Sequence, residues 1–186
     1  MMKKLIAMLL ALVMVLSMAA CGKNPTESTN PSTQGTQGTQ PSGNADVTPD
    51  VSAETLGGKL WAAFEAAQTQ SPSVTAEEMA NILATNENIQ FMCGAMPIEP
   101  GFLSGFDNYE VKGFKSGAVF MPMIGSIAFV GYVFELEAGA DANAFVDELT
   151  ANANLRWNIC VAAEEMVTAV EGNMVFFCMS PLSFEG

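Results

Sequence analysis

Histidine is absent from the 186 residues. That excludes Ser-His-Asp and Cys-His catalysis, histidine-ligated zinc and a histidine pH switch. Sulfur is the chemistry in good supply, with thirteen methionines and four cysteines. It recurs in Met92-Cys93, Met96, Met121-Pro122-Met123 and Cys178-Met179. Soft thiolates and thioethers select Cu(I), so Cys93, Met96, Cys178 and Met179 form the candidate set for a soft-metal-binding protein. The plainer reading is that these residues alternate with Phe and Val because they fill a core. Glycoside hydrolysis needs only a pair of carboxylates, and Glu77-Glu78 and Glu164-Glu165 are such pairs in sequence. Adjacent residues point apart on a helix or a strand, so a histidine-free hydrolase ranks third and catalysis is not expected. No Gly-rich phosphate loop follows a strand, no EF-hand spacing occurs, and no cofactor is expected.

Binding chemistry has two further candidates. Gly101-Phe102, Gly105-Phe106 and Gly113-Phe114 cluster in sequence, and the first two read as loop. Aromatics on a glycine-rich loop build a ligand pocket, or they plug the end of a sheet. Arg156 and Trp157 follow the third predicted helix, and Arg156 is the only arginine. A guanidinium is the preferred fork for carboxylates, which suits an anionic ligand. Pairing with one of the twenty acidic residues is the plainer outcome. Phe102, Phe106, Arg156 and Trp157 are therefore the ligand-binding candidates. Beyond Cys21, an odd number of cysteines leaves at least one thiol free, with a Cys160–Cys178 bond as one arrangement.

The elements that must position these residues are legible in part. Leu56, Leu60, Phe64 and Ala67 have helical spacing, weakened at its first turn by Gly57-Gly58. Thr75 to Glu78 is a capping box that opens a second helix through Met79, Ile82 and Leu83. Asp141 caps a third, with Phe145, Val146 and Leu149. Strand pattern covers Ile89 to Met96 and ends at Pro97 and Pro100. Tyr109 to Lys115 alternates, with Ser116-Gly117 turning it back into Ala118 to Ile124, where Pro122 predicts an edge or bulged strand. Ser126 to Glu137 is apolar on both faces, as is Met174 to Ser180, so both belong inside a covered sheet. Gly172-Asn173 is a two-residue hairpin signal. The class is α+β: a mixed, mainly antiparallel sheet of about five to six strands packed by about three helices.

Residues 1–22 run Lys3-Lys4, an apolar stretch from Leu5 to Leu16, then Met18-Ala19-Ala20 directly before Cys21. This resembles the signal peptide and lipobox of bacterial lipoproteins. The departure from that pattern is Met18, where leucine is usual. The resemblance implies diacylglyceryl transfer to the Cys21 thiol, cleavage of residues 1–20, and anchoring at the outer face of the plasma membrane. Residues 21–50 then read as the lipidated cysteine and a Pro/Thr/Gln/Gly linker with one large apolar side chain, Val47. Such a composition does not fold alone, and its reach is roughly 30 Å. Cleavage would leave five basic residues against twenty acidic ones, a net charge of −15. That charge repels nucleic acid and anionic headgroups alike. Residues 51–186 read as one α+β domain, similar to the cargo of small Gram-positive lipoproteins. The resulting expectation is a non-catalytic, membrane-anchored binding domain, its partner a cell-envelope protein or a small ligand.

Overall fold

The computed structural model describes residues 46–184. Its helices start where local sequence places them. The Glu78 amide donates to the Thr75 hydroxyl, and the Thr75 amide donates to the Glu78 carboxylate at 2.9 Å, closing the capping box of α2 (Ala76–Ala84). Thr55 caps α1 (Leu56–Gln70) and Asp141 caps α3 (Ala142–Asn152), each accepting a first-turn amide. Gly57-Gly58 is a close approach rather than a weak turn. A Cβ at Gly58 would run into the Ser52 carbonyl, and one at Gly57 into Val167 and the Glu165 carboxylate. That carboxylate instead accepts the Gly57 amide at 2.7 Å and the Ser180 hydroxyl at 2.9 Å. The start of α1 is thereby fastened to the sheet.

Seven strands follow in chain order: β1 (Cys93–Ile98), β2 (Gly101–Phe102), β3 (Glu110–Val111), β4 (Ser116–Pro122), β5 (Val130–Glu135), β6 (Glu165–Glu171) and β7 (Met174–Ser180). Five make one antiparallel sheet in the order β1-β4-β5-β7-β6, and β2 pairs with β3 in a separate ribbon. The α+β class and its three helices are as the pattern predicts. The two strands that are apolar on both faces, β5 and β7, are neighbours inside the sheet. Gly172, at φ 60°, and Asn173 form the tight turn from β6 to β7. β5 and β6 run parallel with β7 between them, so the connection through α3 joins strands that are not adjacent.

Four local readings change. Ser116-Gly117 is not a turn: it opens β4, and the left-handed residue is Gly113, at φ 94°. The alternating segment Tyr109 to Lys115 contributes only the two residues of β3 to a strand. β4 is interior, not an edge; Pro122 is tolerated because pairing with β5 ends at Phe120, leaving no ladder bond for its missing N–H. β1 is the edge strand and extends through Pro97 to Ile98, a position compatible with proline. Residues 46 and 47 also join the sheet. Val47 forms an antiparallel bridge with Val170, and the Asp46 carboxylate accepts the Gly172 amide at 3.1 Å.

Alternation divides the sheet into two cores. α1 and α2 bury Leu60, Phe64, Met79 and Leu83 against Phe120, Phe129, Val133, Phe176 and Cys178. On the opposite face α3 and the segment containing Phe106, Val111 and Phe114 cover Val130, Tyr132, Phe134, Phe177 and Met179. No helix among the described residues is long and apolar enough to cross a membrane.

Candidate functional site

The sheet separates the four sulfurs chosen from sequence. Cys93 and Cys178 belong to the core under α1 and α2, whereas Met179 lies in the core on the opposite face. Met96, three residues beyond Cys93 on β1, shares the Met179 face by alternation. A backbone layer therefore stands between the two pairs, and they do not form one ligand set. All three cysteines among the described residues are free thiols, so Cys160 and Cys178 are not bonded to each other. Cys178 is fully buried, and its thiol is pushed up chiefly by that burial. Half-burial pushes Cys93 up to about 11. Both are thiols, not thiolates, at neutral pH, whereas Cys160 is exposed.

The aromatic candidates divide in the same way. Phe102 is 67% exposed. Phe106 is fully buried, with its ring 5.0 Å from that of Phe177 and 5.8 Å from that of Tyr132, so it is a core residue rather than a loop ligand. Trp157 is partly buried at the edge of the same core. Arg156 is exposed and its guanidinium has no ion-pair partner among the described residues, against the expected pairing with a carboxylate.

The loops carrying these residues do meet, through other side chains. The Asn154 amide donates to the Gly105 carbonyl at 2.8 Å. Its side chain donates to both Asp107 oxygens, at 3.0 and 2.8 Å. The Tyr109 hydroxyl donates to Glu148 at 2.6 Å, and that bond is the main cause of a phenol pushed up to about 12. Asp107, Tyr109, Asn152 and Asn154 line an open cleft of about 640 Å³. Its principal side chains are already hydrogen-bonded, Asn154 to Asp107 and both Tyr109 and Asn152 to Glu148, so it reads as the polar seam that fastens α3 to the Phe106 segment. Among the described residues, no three His, Cys, Asp or Glu side chains are grouped to hold a metal ion.

An apolar surface lies elsewhere, at one end of the large sheet. The pairs Cys93↔Pro122, Val130↔Met179 and Glu165↔Ser180 bring the ends of all five strands together there. From that end project Met92, Met123, Ile124, Ile159, Val161 and Leu182, six of the nine exposed large apolar side chains among the described residues. Ile159 is wholly exposed. Phe91, Ile127, Val161 and Phe184 line a cleft of about 340 Å³ at the same end, with Gln90 and Ser126 as its polar members. The Phe91 ring stands 5.1 Å from Phe129 and 5.2 Å from Phe184, so the core supports the cleft floor. The chain enters from residue 46 at the other end, beside the β6–β7 turn. Sequence reasoning missed this surface because its members come from four separate connections, each with one to three apolar residues. No protein-family model matches the chain, and neither the curated proteins nor the solved structures yield a match.

Proposed function

We propose that this chain is an envelope lipoprotein whose folded domain is a non-catalytic binding module for another envelope protein. The Met18-Ala19-Ala20-Cys21 segment supports the anchoring half of the reading. Cys21 and the whole segment that resembles a leader lie outside the described residues. A diacylglyceryl group supplies two chains, whereas one acyl chain alone gives only marginal membrane binding.

The observation that carries the binding half is the apolar surface at the end of the sheet away from residue 46. Six exposed apolar groups at one end of the sheet, with an apolar cleft at the same end, exceed the scattered exposure that needs no explanation. A cleft of about 340 Å³ is at the small end for ligand pockets, and it suits an apolar side chain of a protein partner. With twenty acidic residues in the chain, a partner with a neutral or basic rim fits best.

Anchoring is tested by Cys21→Ser. The expected result is a protein that leaves the membrane fraction or persists as a precursor, without labelling by a palmitate analogue. A Cys21→Ser protein still labelled and membrane-bound at mature size would remove the lipidation reading. Binding is tested by placing a photocrosslinking residue at Ile159 or at Lys112 in the full chain in cells. One discrete adduct from position 159, absent from position 112 and lost on adding Val161→Glu, is expected. Equal adducts from both positions, or none from 159, would count against the apolar end as a contact surface.

A further inference from the structure

The alternation that dismantles the first sulfur set assembles another. Phe91, Cys93 and Ala95 all pack toward α1 and α2, so Met92, Gly94 and Met96 present the opposite face of β1. Across the ladder, Met121 is the partner of Gly94. Pairing continues one step beyond β4, where the Met123 amide donates to the Met92 carbonyl at 2.9 Å. Met123 and Met92 are therefore opposed as well.

Gly94 is the centre of this group. A Cβ there would collide with the Met123 sulfur, whose Cγ and Cε are 3.1 and 3.6 Å from the same point. The Met123 thioether thus occupies the space that the missing side chain leaves. Met121 faces that space across the ladder, and Met92 and Met96 flank it along β1. Opposed residues in such a ladder are about 5 Å apart, and alternate residues on one strand roughly 6.7 Å. Three flexible torsions let each methionine span such distances.

Core packing accounts for only one of these four, Met121, which is partly buried against the core that α3 covers. Met79, Met174 and Met179 are the core methionines, each at most 2% exposed, whereas Met92, Met123 and Met96 are 67%, 54% and 46% exposed. Exposed strand positions favour β-branched or aromatic residues. Thioethers differ from those in one respect that matters here: they are neutral, soft donors that suit Cu(I) and its redox-inert analogue Ag(I). The acidic chain raises the local concentration of any cation.

We infer that Met92, Met96, Met121 and Met123 form a thioether site for a soft monovalent ion, Cu(I) or Ag(I), on the exposed face of the β1–β4 edge. Cys93 takes no part, because it faces the other core. The site shares Met92 and Met123 with the proposed contact surface but does not rest on it.

Ag(I) titration of the full chain, solubilised in detergent and labelled with ¹³C at its methionine methyls, tests the site residue by residue. The expected result is a shift of the Met92, Met96, Met121 and Met123 methyl signals, complete at about one equivalent beyond that taken by thiols. Signals from Met79, Met174 and Met179 should stay in place. Leucine conserves methionine's volume and apolar character. Met96→Leu with Met121→Leu, neither of which belongs to the contact surface, should therefore keep the melting temperature and the Ile159 adduct while weakening Ag(I) at least about tenfold. Four unmoved signals, or undiminished affinity in the double variant, would overturn the inference and leave an adaptable apolar surface. No Ile159 adduct from the parent chain, while its four methionine methyl signals still shift with Ag(I), would instead remove the partner reading alone.

Discussion

Replacing Phe134 with alanine should destabilise the domain by about 3–5 kcal/mol, and Phe106→Ala by a comparable amount. Phe102→Ala should stay within about 0.5 kcal/mol. Phe134 is fully buried in β5, with rings of Phe114, Phe145 and Tyr132 at 5.1, 5.2 and 5.6 Å. Those neighbours come from the segment before β4, from α3 and from β5 itself. Collapse into the vacated space would require three elements to move together, so most of the cavity should persist. Small domains have about 5–15 kcal/mol in total, and either core substitution removes a large share of it. Urea denaturation measures the effect as a fall in midpoint at constant slope. Equal losses at positions 102 and 106 would show that Phe102 is packed, contrary to its exposure.

The three Gly-Phe dipeptides show where local sequence stops being informative. They are the same two residues, yet Phe102 is exposed, Phe106 is fully buried and Phe114 nearly so. What distinguishes them is how the segment before β4 lies across the sheet, and that depends on distant partners such as Asn154 and Tyr132. The Tyr132 hydroxyl, for example, donates to the Ser104 carbonyl at 2.8 Å. Features set within a few residues were legible: the Thr75 and Asp141 caps, the Gly172-Asn173 turn, and the two-sided apolarity of β5 and β7. Pairings between distant strands were not. Gly113 and Gly117 are equally good local turn signals, and only the pairing of β4 with both neighbours decides between them. Sulfur followed the same rule. Grouping by adjacency joined Cys178 to Met179, which a strand sends to opposite faces. The four methionines that the sheet aligns on one face are spaced at i and i+4 on one strand and at i and i+2 on the other, and no short window reveals the pairing of the two.

Gly131→Ala should also destabilise, by about 1–3 kcal/mol, although alanine ordinarily improves a strand interior by about 0.5–1 kcal/mol over glycine. Gly131 lies in β5 opposite Phe120, and a Cβ there would collide with the Phe120 ring. The ring covers the glycine and fills the layer between the sheet and the helices. It has little room to give way, because Phe129 and Phe176 stand 5.7 and 6.5 Å from it, ring to ring. Phe176 is stacked in turn against Phe64 of α1 at 5.5 Å. An added methyl must displace Phe120 toward these rings or push the strand away from its neighbours. Neighbours that share one space are not additive, which supplies the decisive comparison. Phe120→Leu removes the clash while keeping an apolar group, so the double variant should lose less stability than the two single losses combined. The coupling, read from four denaturation curves, should be at least about 0.5 kcal/mol. A Gly131→Ala protein as stable as the parent would mean that the ring shifts freely, and the aromatic layer would then not fix the seating of α1 and α2 on the sheet.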